Sequence, residues 1–159
     1  GVRLKHEGNS TKSQEEVDEV VKIARELLSG GTVWHTPNTD REVTQRDVLV
    51  VAPYNAQVTS LRAALKAVDL AEVRVGTVDK FQGQEAPIVI VSMTCSSATD
   101  SPRGADFVMN RNRLNVAVSR AQWAAYVVYS EHLVEVTPTS IAASEQLGGF
   151  MRMVSAVEE

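Results

Sequence analysis

The sequence predicts an α/β fold of one domain, with a mainly parallel sheet and helices on both of its faces. Short continuous apolar runs recur along the chain, as in strands covered on both sides. Segments with apolar residues at helical spacing separate these runs, which favours strand–helix–strand units. The chain has 159 residues, of which 43% are hydrophobic and 23% charged, a normal composition for a single globular domain.

The first predicted helix starts at a capping box. Ser13 and Glu16 are spaced to satisfy two free amides at a helix start, and apolar residues then recur at helical spacing until a Gly-Gly pair ends the element. Residues 32–46 are mostly polar and show no sustained alternation. We interpret them as a loop or a small hairpin that turns near residues 38–40.

The sheet is predicted from four apolar segments. They cover residues 48–52, 73–77, 88–91 and 125–129. After the first of them, Asn55 is expected to cap a second helix. The buried face of that helix is predicted to consist of Val58, Leu61, Leu65 and Val68.

The region between the last two strands carries a polar loop, residues 96–110, and then a helix over 111–121. Its apolar stripe is predicted at Leu114, Ala117, Val118 and Ala121. Arg113 and Arg120 are seven residues apart and are expected to flank that stripe along one line. A last helix is predicted over 139–157, interrupted by a Gly-Gly pair.

Charge is distributed unevenly along the chain. The net charge is −4, yet residues 103–122 hold four arginines and one aspartate, whereas residues 131–159 hold five glutamates and one arginine. A local basic patch of this kind indicates a polyanion partner or a solvated helix face. For Arg113 and Arg120 the alternatives are a phosphate contact and a carboxylate bridge.

Several classes of chemistry lack their sequence signature. The chain has no GxxxxGK[ST] phosphate loop, no GxGxxG fingerprint and no local Ser/His/Asp or Cys/His set. One cysteine and three scattered histidines give no metal-ligand spacing, so no metal site is predicted. No apolar run is long enough to cross a bilayer and no signal peptide is visible, so we expect a cytoplasmic protein without a membrane partner.

Three segments beside the strands carry unusual residues. They are Ala-Pro-Tyr-Asn-Ala-Gln at 52–57, Thr-Val-Asp-Lys-Phe-Gln-Gly-Gln-Glu at 77–85 and Arg-Leu-Asn-Val-Ala-Val-Ser-Arg-Ala at 113–121. Their order and content resemble motifs IV, V and VI of the second RecA-like domain of superfamily 1 helicases. The branch they resemble contains RNA-surveillance and replication-type helicases, including bacterial fusions to RecB-type nucleases. Ser119, where the family often has Thr, and Gln122, where it often has a basic residue, are modest departures.

The resemblance implies a three-layer RecA-like fold of the P-loop NTPase type and a role as half of an ATP-dependent motor. ATP with Mg²⁺ would be shared with a first RecA-like domain. Arg120 resembles the arginine finger, and the other nucleotide-binding residues implied are Gln82, Gly83, Glu85 and Arg113. A cap or salt bridge is the alternative for Glu85.

Single-stranded DNA or RNA is the partner that the resemblance implies. The residues implied to bind it are Pro53, Tyr54, Asn55, Thr77 and Asp79, with simple packing as the alternative for Tyr54. The chain begins with Gly1 rather than Met, so we expect a processed chain or a piece of a longer protein. The resemblance implies a first RecA-like domain in that longer protein and leaves a fused nuclease as an open alternative. Residues 1–159 are expected to be one domain, monomeric in isolation and inactive alone. The alternative is a non-catalytic RecA-like module for interaction or nucleic-acid binding.

Overall fold

The protein forms a layered α/β structure, seen in a computed structural model that describes residues 1–155, without the side chain of Ala105. The strands of the described part are β1 (Val2–Leu4), β2 (Val33–His35), β3 (Asp40–Glu42), β4 (Val48–Val51), β5 (Arg74–Gly76), β6 (Ala86–Ser92) and β7 (Ala121–Ser130). Its helices are α1 (Gln14–Leu28), α2 (Asn55–Ala67), α3 (Ala105–Val108), α4 (Arg111–Val118) and α5 (Ile141–Ser155).

The central sheet has five strands in the order β1-β7-β6-β4-β5, and every neighbouring pair in it is parallel. β6 and β4 are buried along their whole length, as their continuous apolar runs predict. The predicted α/β class, with a mainly parallel RecA-like sheet, is therefore confirmed. The edge strand β1 was not among the predicted strands.

Two apolar cores lie on opposite faces of this sheet. Alternate residues of β4 point to each: Val48 and Val50 pack with α1 and α2, whereas Leu49 and Val51 pack toward α4 and α5. The helices therefore cover both faces. Because the strands are held from both sides, their carboxyl ends form a fixed edge on which side chains can be positioned.

The helix predicted after the first strand is present, but Asn55 does not cap it. Tyr54 occupies the N-cap position with extended backbone and makes no side-chain cap bond, and Asn55 is the first helical residue. Tyr54 is buried at this boundary, which places the turn one residue earlier than the capping preference of asparagine suggests. The Asn55 side chain is consequently not used by the helix end.

The helix predicted over 111–121 is shorter than expected. It ends at Val118, and Ala121 already begins β7 opposite Ala86. The carbonyl of Arg120 accepts a bond from the Ala86 amide at 3.0 Å, so pairing with β6 draws the chain out of the helix. Arg120 thus lies in a turn rather than two helical turns above Arg113.

The last helix is not interrupted by its glycines. α5 runs through Gly148 and Gly149 to Ser155, where the described residues end, and residues 156–157 of the prediction lie outside them. Phe150 is 1% exposed and packs edge-on against Tyr129, with ring centroids 5.4 Å apart. Burying a phenylalanine outweighs the cost of about 1 kcal/mol for each helical glycine.

The predicted hairpin at 32–46 is present as β2 and β3, and a buried carboxylate anchors it. Asp47, whose side chain is 10% exposed, accepts two bonds of 2.6 Å from Arg41 and two of 2.8 Å from the amide and hydroxyl of Thr44. The Arg41 hydrogen bonds, chiefly, hold the pKa of Asp47 at about 2.

Replacing this carboxylate should weaken the fold in a pH-dependent way. We expect Asp47→Asn to lower the free energy of unfolding at pH 7 by about 1–2 kcal/mol, since Arg41 is partly exposed and solvent screens the pair. A lowered folded-state pKa stabilises above the unfolded value of 3.8 and loses its effect as the pH falls toward 2. Urea denaturation of both proteins from pH 7 to pH 3 should therefore show a shrinking difference. Asp40→Asn, in the exposed part of the hairpin, is the control and should change little.

Candidate nucleotide and nucleic-acid sites

A cleft of about 190 Å³, here called the strand-end cleft, opens at the carboxyl ends of β4, β5 and β6. Its floor includes apolar side chains of the strands and of α4, such as Val51, Met93 and Leu114. The rim carries four of the five residues predicted to bind nucleic acid. These are Pro53, Asn55, Thr77 and Asp79. The edge of the sheet thus brings together residues that are separated in the sequence, as expected for ligand sites of open α/β sheets.

Tyr54, the fifth predicted residue, has a buried side chain. It is 8% exposed, its hydroxyl lies 2.7 Å from the Ser101 Oγ, and its ring centroid is 5.5 Å from that of Phe107. Burial raises the pKa of its phenol. The side chain therefore packs against Phe107 and does not line the cleft.

Two residues of the rim were not among the predicted site residues. Arg103 and Phe107 line the strand-end cleft, and the guanidinium carbon of Arg103 is 4.0 Å from the centre of the Phe107 ring. Arg113 lies 4.5 Å from the same ring centre. For Arg103 the sequence offered one indication, its place in the basic patch. For Phe107 it offered none, because the loop over 96–110 has no periodicity that would show which way a side chain points.

Arg113 forms the carboxylate bridge that was one of its two alternatives. Its Nη2 is 3.4 Å from the Oδ2 of Asp79, and the two side chains are 37% and 77% exposed. An exposed pair of this length is weak. Asp79 and Arg113 line both the strand-end cleft and a neighbouring pocket, and the weak pair leaves Arg113 able to bind a stronger anion.

The neighbouring pocket, here called the arginine pocket, has a volume of about 220 Å³. Gln82, Arg113 and Arg120 line it together, so it contains three of the residues predicted to serve the nucleotide. The Nε of Arg120 is buried and has no hydrogen-bond partner, and no carboxylate among residues 1–155 forms an ion pair with this side chain. A buried guanidinium donor without a partner costs free energy unless an anion meets it.

Gly83 and Glu85 follow Gln82 in the same turn but do not line the arginine pocket. Gly83 has φ of +78°, a left-handed conformation, and a Cβ built on it would meet nothing within 4 Å. Its backbone is thus open to close approach. The exposed Glu85 carboxylate accepts a bond of 3.0 Å from Gln122, so it is held beside the start of β7.

A buried network of hydrogen bonds holds the carboxyl end of β6, which forms part of the cleft floor. The carboxylate of Glu16 is inaccessible to solvent and accepts bonds from the hydroxyl of Ser92 at 2.5 Å and the amide of Thr94 at 2.8 Å. Gln57 donates to the same hydroxyl at 3.0 Å and accepts from the Ser13 amide at 2.9 Å. The network thus joins α1, α2 and the end of β6.

His6 extends this network without forming a catalytic triad. Its ring nitrogens lie 2.7 Å from the Ser96 Oγ and 3.1 Å from the Glu16 Oε1. Ser96 is 1% exposed, and no substrate can reach its hydroxyl. The nearby Cys95 is also unreactive, because burial raises the pKa of its thiol to about 11.

In residues 1–155 no helix is both long enough and apolar enough to cross a bilayer. In the same part of the chain no three His, Cys, Asp or Glu side chains are grouped so that they could hold a metal ion.

A known family of protein domains matches most of this chain. A family described as "AAA domain" matches residues 2–132, which include every predicted site residue. The chain belongs to this family. Its relatives include proteins named as RNA helicases and as a DNA helicase, and the resemblance to the second RecA-like domain of superfamily 1 helicases is confirmed.

The individual relatives are much longer than this chain. The 3'-5' exoribonuclease HELZ2 of Homo sapiens is 34% identical over 140 residues, covering 82% of this chain and 4% of its own length. RNA helicase Mov10l1 of Homo sapiens is 34% identical over 100 residues, 61% of this chain and 8% of the relative. The DNA polymerase alpha-associated DNA helicase A of Schizosaccharomyces pombe is 38% identical over 90 residues, 57% of this chain and 13% of the relative.

Proposed function

We propose that this chain is the second motor domain of an ATP-dependent superfamily 1 helicase, and that it supplies the arginine finger and part of the single-strand-binding surface. The observation that carries the proposal is the unpaired, buried Nε of Arg120 in the arginine pocket beside Gln82 and Arg113. A phosphate group with its negative oxygens fits such a donor set.

ATP hydrolysis would need little covalent chemistry from this chain. Phosphoryl transfer is catalysed mainly by positioning and by neutralising charge on the transferred group. Arg120 would donate to the γ-phosphate oxygens, and Arg113 would support the same anion from the wall that it shares with the strand-end cleft. The open backbone at Gly83 would allow close approach, and Glu85 would accept a ribose hydroxyl.

The strand-end cleft would contact the single strand. The amide of Asn55, which the helix end does not use, and the hydroxyl of Thr77 can each donate to a phosphate. Contacts of this kind position a strand without reading its sequence, so DNA and RNA are equally compatible with them. Asp79 would act through Arg113, since an ionised carboxylate does not bind phosphate.

The rest of the motor would lie elsewhere in a longer protein. The chain spans only 4–13% of the three relatives described above. A first RecA-like domain with a phosphate loop would hold ATP and Mg²⁺, and a fused nuclease is a further proposed component. Residues 1–159 would form one RecA-like unit of that cytoplasmic protein.

Single-strand binding by the chain alone tests this proposal. Because few phosphate contacts are involved, we expect weak binding whose logarithm falls linearly with the logarithm of the salt concentration. Fluorescence anisotropy of labelled oligonucleotides at 50 and 200 mM salt measures it. Tight, salt-insensitive or sequence-selective binding would favour the alternative, a non-catalytic RecA-like binding module, and no binding at any salt would leave the strand surface unsupported.

A further inference from the structure

The strand-end cleft has the size and lining of a pocket for one aromatic ring. An engineered protein cavity of about 150 Å³ lined by apolar side chains holds benzene, and this cleft measures about 190 Å³. The side chains of its floor include the apolar Val91, Met93 and Ala117. A phosphate alone would gain nothing from such a floor, since a charged group is poorly solvated there.

Arg103 forms one wall of this cleft together with Phe107. Its guanidinium lies over the Phe107 ring at 4.0 Å, and the ring is held in turn by Tyr54 and by Arg113, so the position of the Arg103 cation is fixed. Within residues 1–155 no acidic side chain forms an ion pair with Arg103, in contrast to Arg113, which is paired with Asp79. The exposed donors of Arg103 are therefore available to a ligand.

We infer that the strand-end cleft holds one nucleobase of the bound single strand, packed against the Arg103–Phe107 wall, with Arg103 also donating to the adjoining phosphate. Guanidinium planes stack on bases, and here the Phe107 ring holds the guanidinium of Arg103 in place. The inference rests on the proposed function, because it identifies which part of the strand enters the surface that Asn55 and Thr77 border. The arginine pocket next to it is the site assigned to the free nucleotide.

A comparison of two strands tests the inference on the 159-residue chain. One is an oligothymidylate, and the other has the same backbone without bases. We expect the strand with bases to bind at least about fivefold more tightly, and Phe107→Ala to reduce that ratio to near one. Phe107→Leu, which keeps an apolar side chain, serves if the alanine variant does not fold, and should reduce the ratio partly.

A matched pair of arginine variants separates this wall from the general basic patch. Arg103→Ala should weaken binding of the strand with bases five- to tenfold and lower the salt slope by about one. Arg111→Ala removes the same charge from an exposed position beside α5 and should have a much smaller effect. Equal effects of the two variants would overturn the inference.

Three further outcomes would separate the nucleobase pocket from the proposed function. Normal strand binding with no difference between the strands with and without bases would overturn the nucleobase pocket and leave the proposed function standing. Displacement of the oligothymidylate by excess ADP would assign the cleft to the free nucleotide and would likewise overturn it. Failure of the wild-type chain to bind any single strand would overturn the pocket together with the proposed strand surface.

Discussion

If Arg120 is the arginine finger, Arg120→Ala in the complete protein should reduce ATP turnover on the order of 10³-fold or more while single-strand binding stays nearly unchanged. Arginine fingers act on charge that develops in the transition state, where their removal costs 10³–10⁵ in rate. Arg120 lines the arginine pocket with a buried, unpaired Nε, whereas the proposed strand contacts line the neighbouring cleft. The variant should therefore separate hydrolysis from strand binding.

A lysine substitution and a surface control complete this test. Arg120→Lys should not restore turnover, because an ammonium group lacks the planar fork that meets two phosphate oxygens. Arg46→Ala, which removes a 78% exposed arginine far from the pocket in sequence, should leave turnover unchanged. Near-normal turnover in a folded Arg120→Ala protein would show that this residue is not the finger. A lower melting temperature that lysine restores would indicate a structural role instead.

Glu16→Ala should cause the largest loss of stability among these variants, on the order of 3–5 kcal/mol. Its carboxylate accepts bonds from Ser92 and Thr94 and lies 3.1 Å from the His6 ring, all without access to solvent. Alanine would leave several buried donors without a partner, each at about 1–3 kcal/mol. Because domains of this size are stable by only about 5–15 kcal/mol, the variant should be close to unfolding.

Urea denaturation followed by circular dichroism measures this loss. Glu26→Ala is the matched control on the same helix, since Glu26 is exposed and should change the free energy of unfolding by less than about 0.5 kcal/mol. Glu16→Gln should fall between the two, because an amide keeps one acceptor oxygen but adds a donor that faces other donors. Equal stabilities of Glu16→Ala and Glu26→Ala would contradict the structural role given to this network.

The sheet could be predicted from the sequence because its strands carry their own signal. The apolar runs in β4 and β6 are continuous, and a strand buried on both faces needs that pattern. The N-cap was equally local: the Ser13 hydroxyl accepts a bond of 3.2 Å from the Glu16 amide. The other half of the predicted capping box does not form, because the Ser13 amide donates to Gln57 at 2.9 Å. What the pattern could not show is that Glu16 also reaches the end of β6, a contact 76 residues away in sequence.

The errors arose where tertiary pairing overrides local preference. Arg120 follows a helical period in the sequence, yet strand pairing at Ala86 ends the helix before it. Burial of Phe150 likewise carries α5 through two glycines. The site residues came from a resemblance, and the fold brings most of them to the strand-end cleft and the arginine pocket. Arg103 and Phe107 were missed because their pairing depends on a loop path that no periodicity describes.

Whether this chain is half of a two-domain motor is tested most directly by measuring ATP hydrolysis by the complete protein and by the isolated 159-residue chain, each with and without single-stranded nucleic acid. If the chain is the second half of a two-domain motor, the complete protein will hydrolyse ATP faster when the strand is added, and the isolated chain will remain inactive under both conditions. Strand-stimulated hydrolysis by the isolated chain, or a complete protein that hydrolyses no ATP with any single strand, would contradict it.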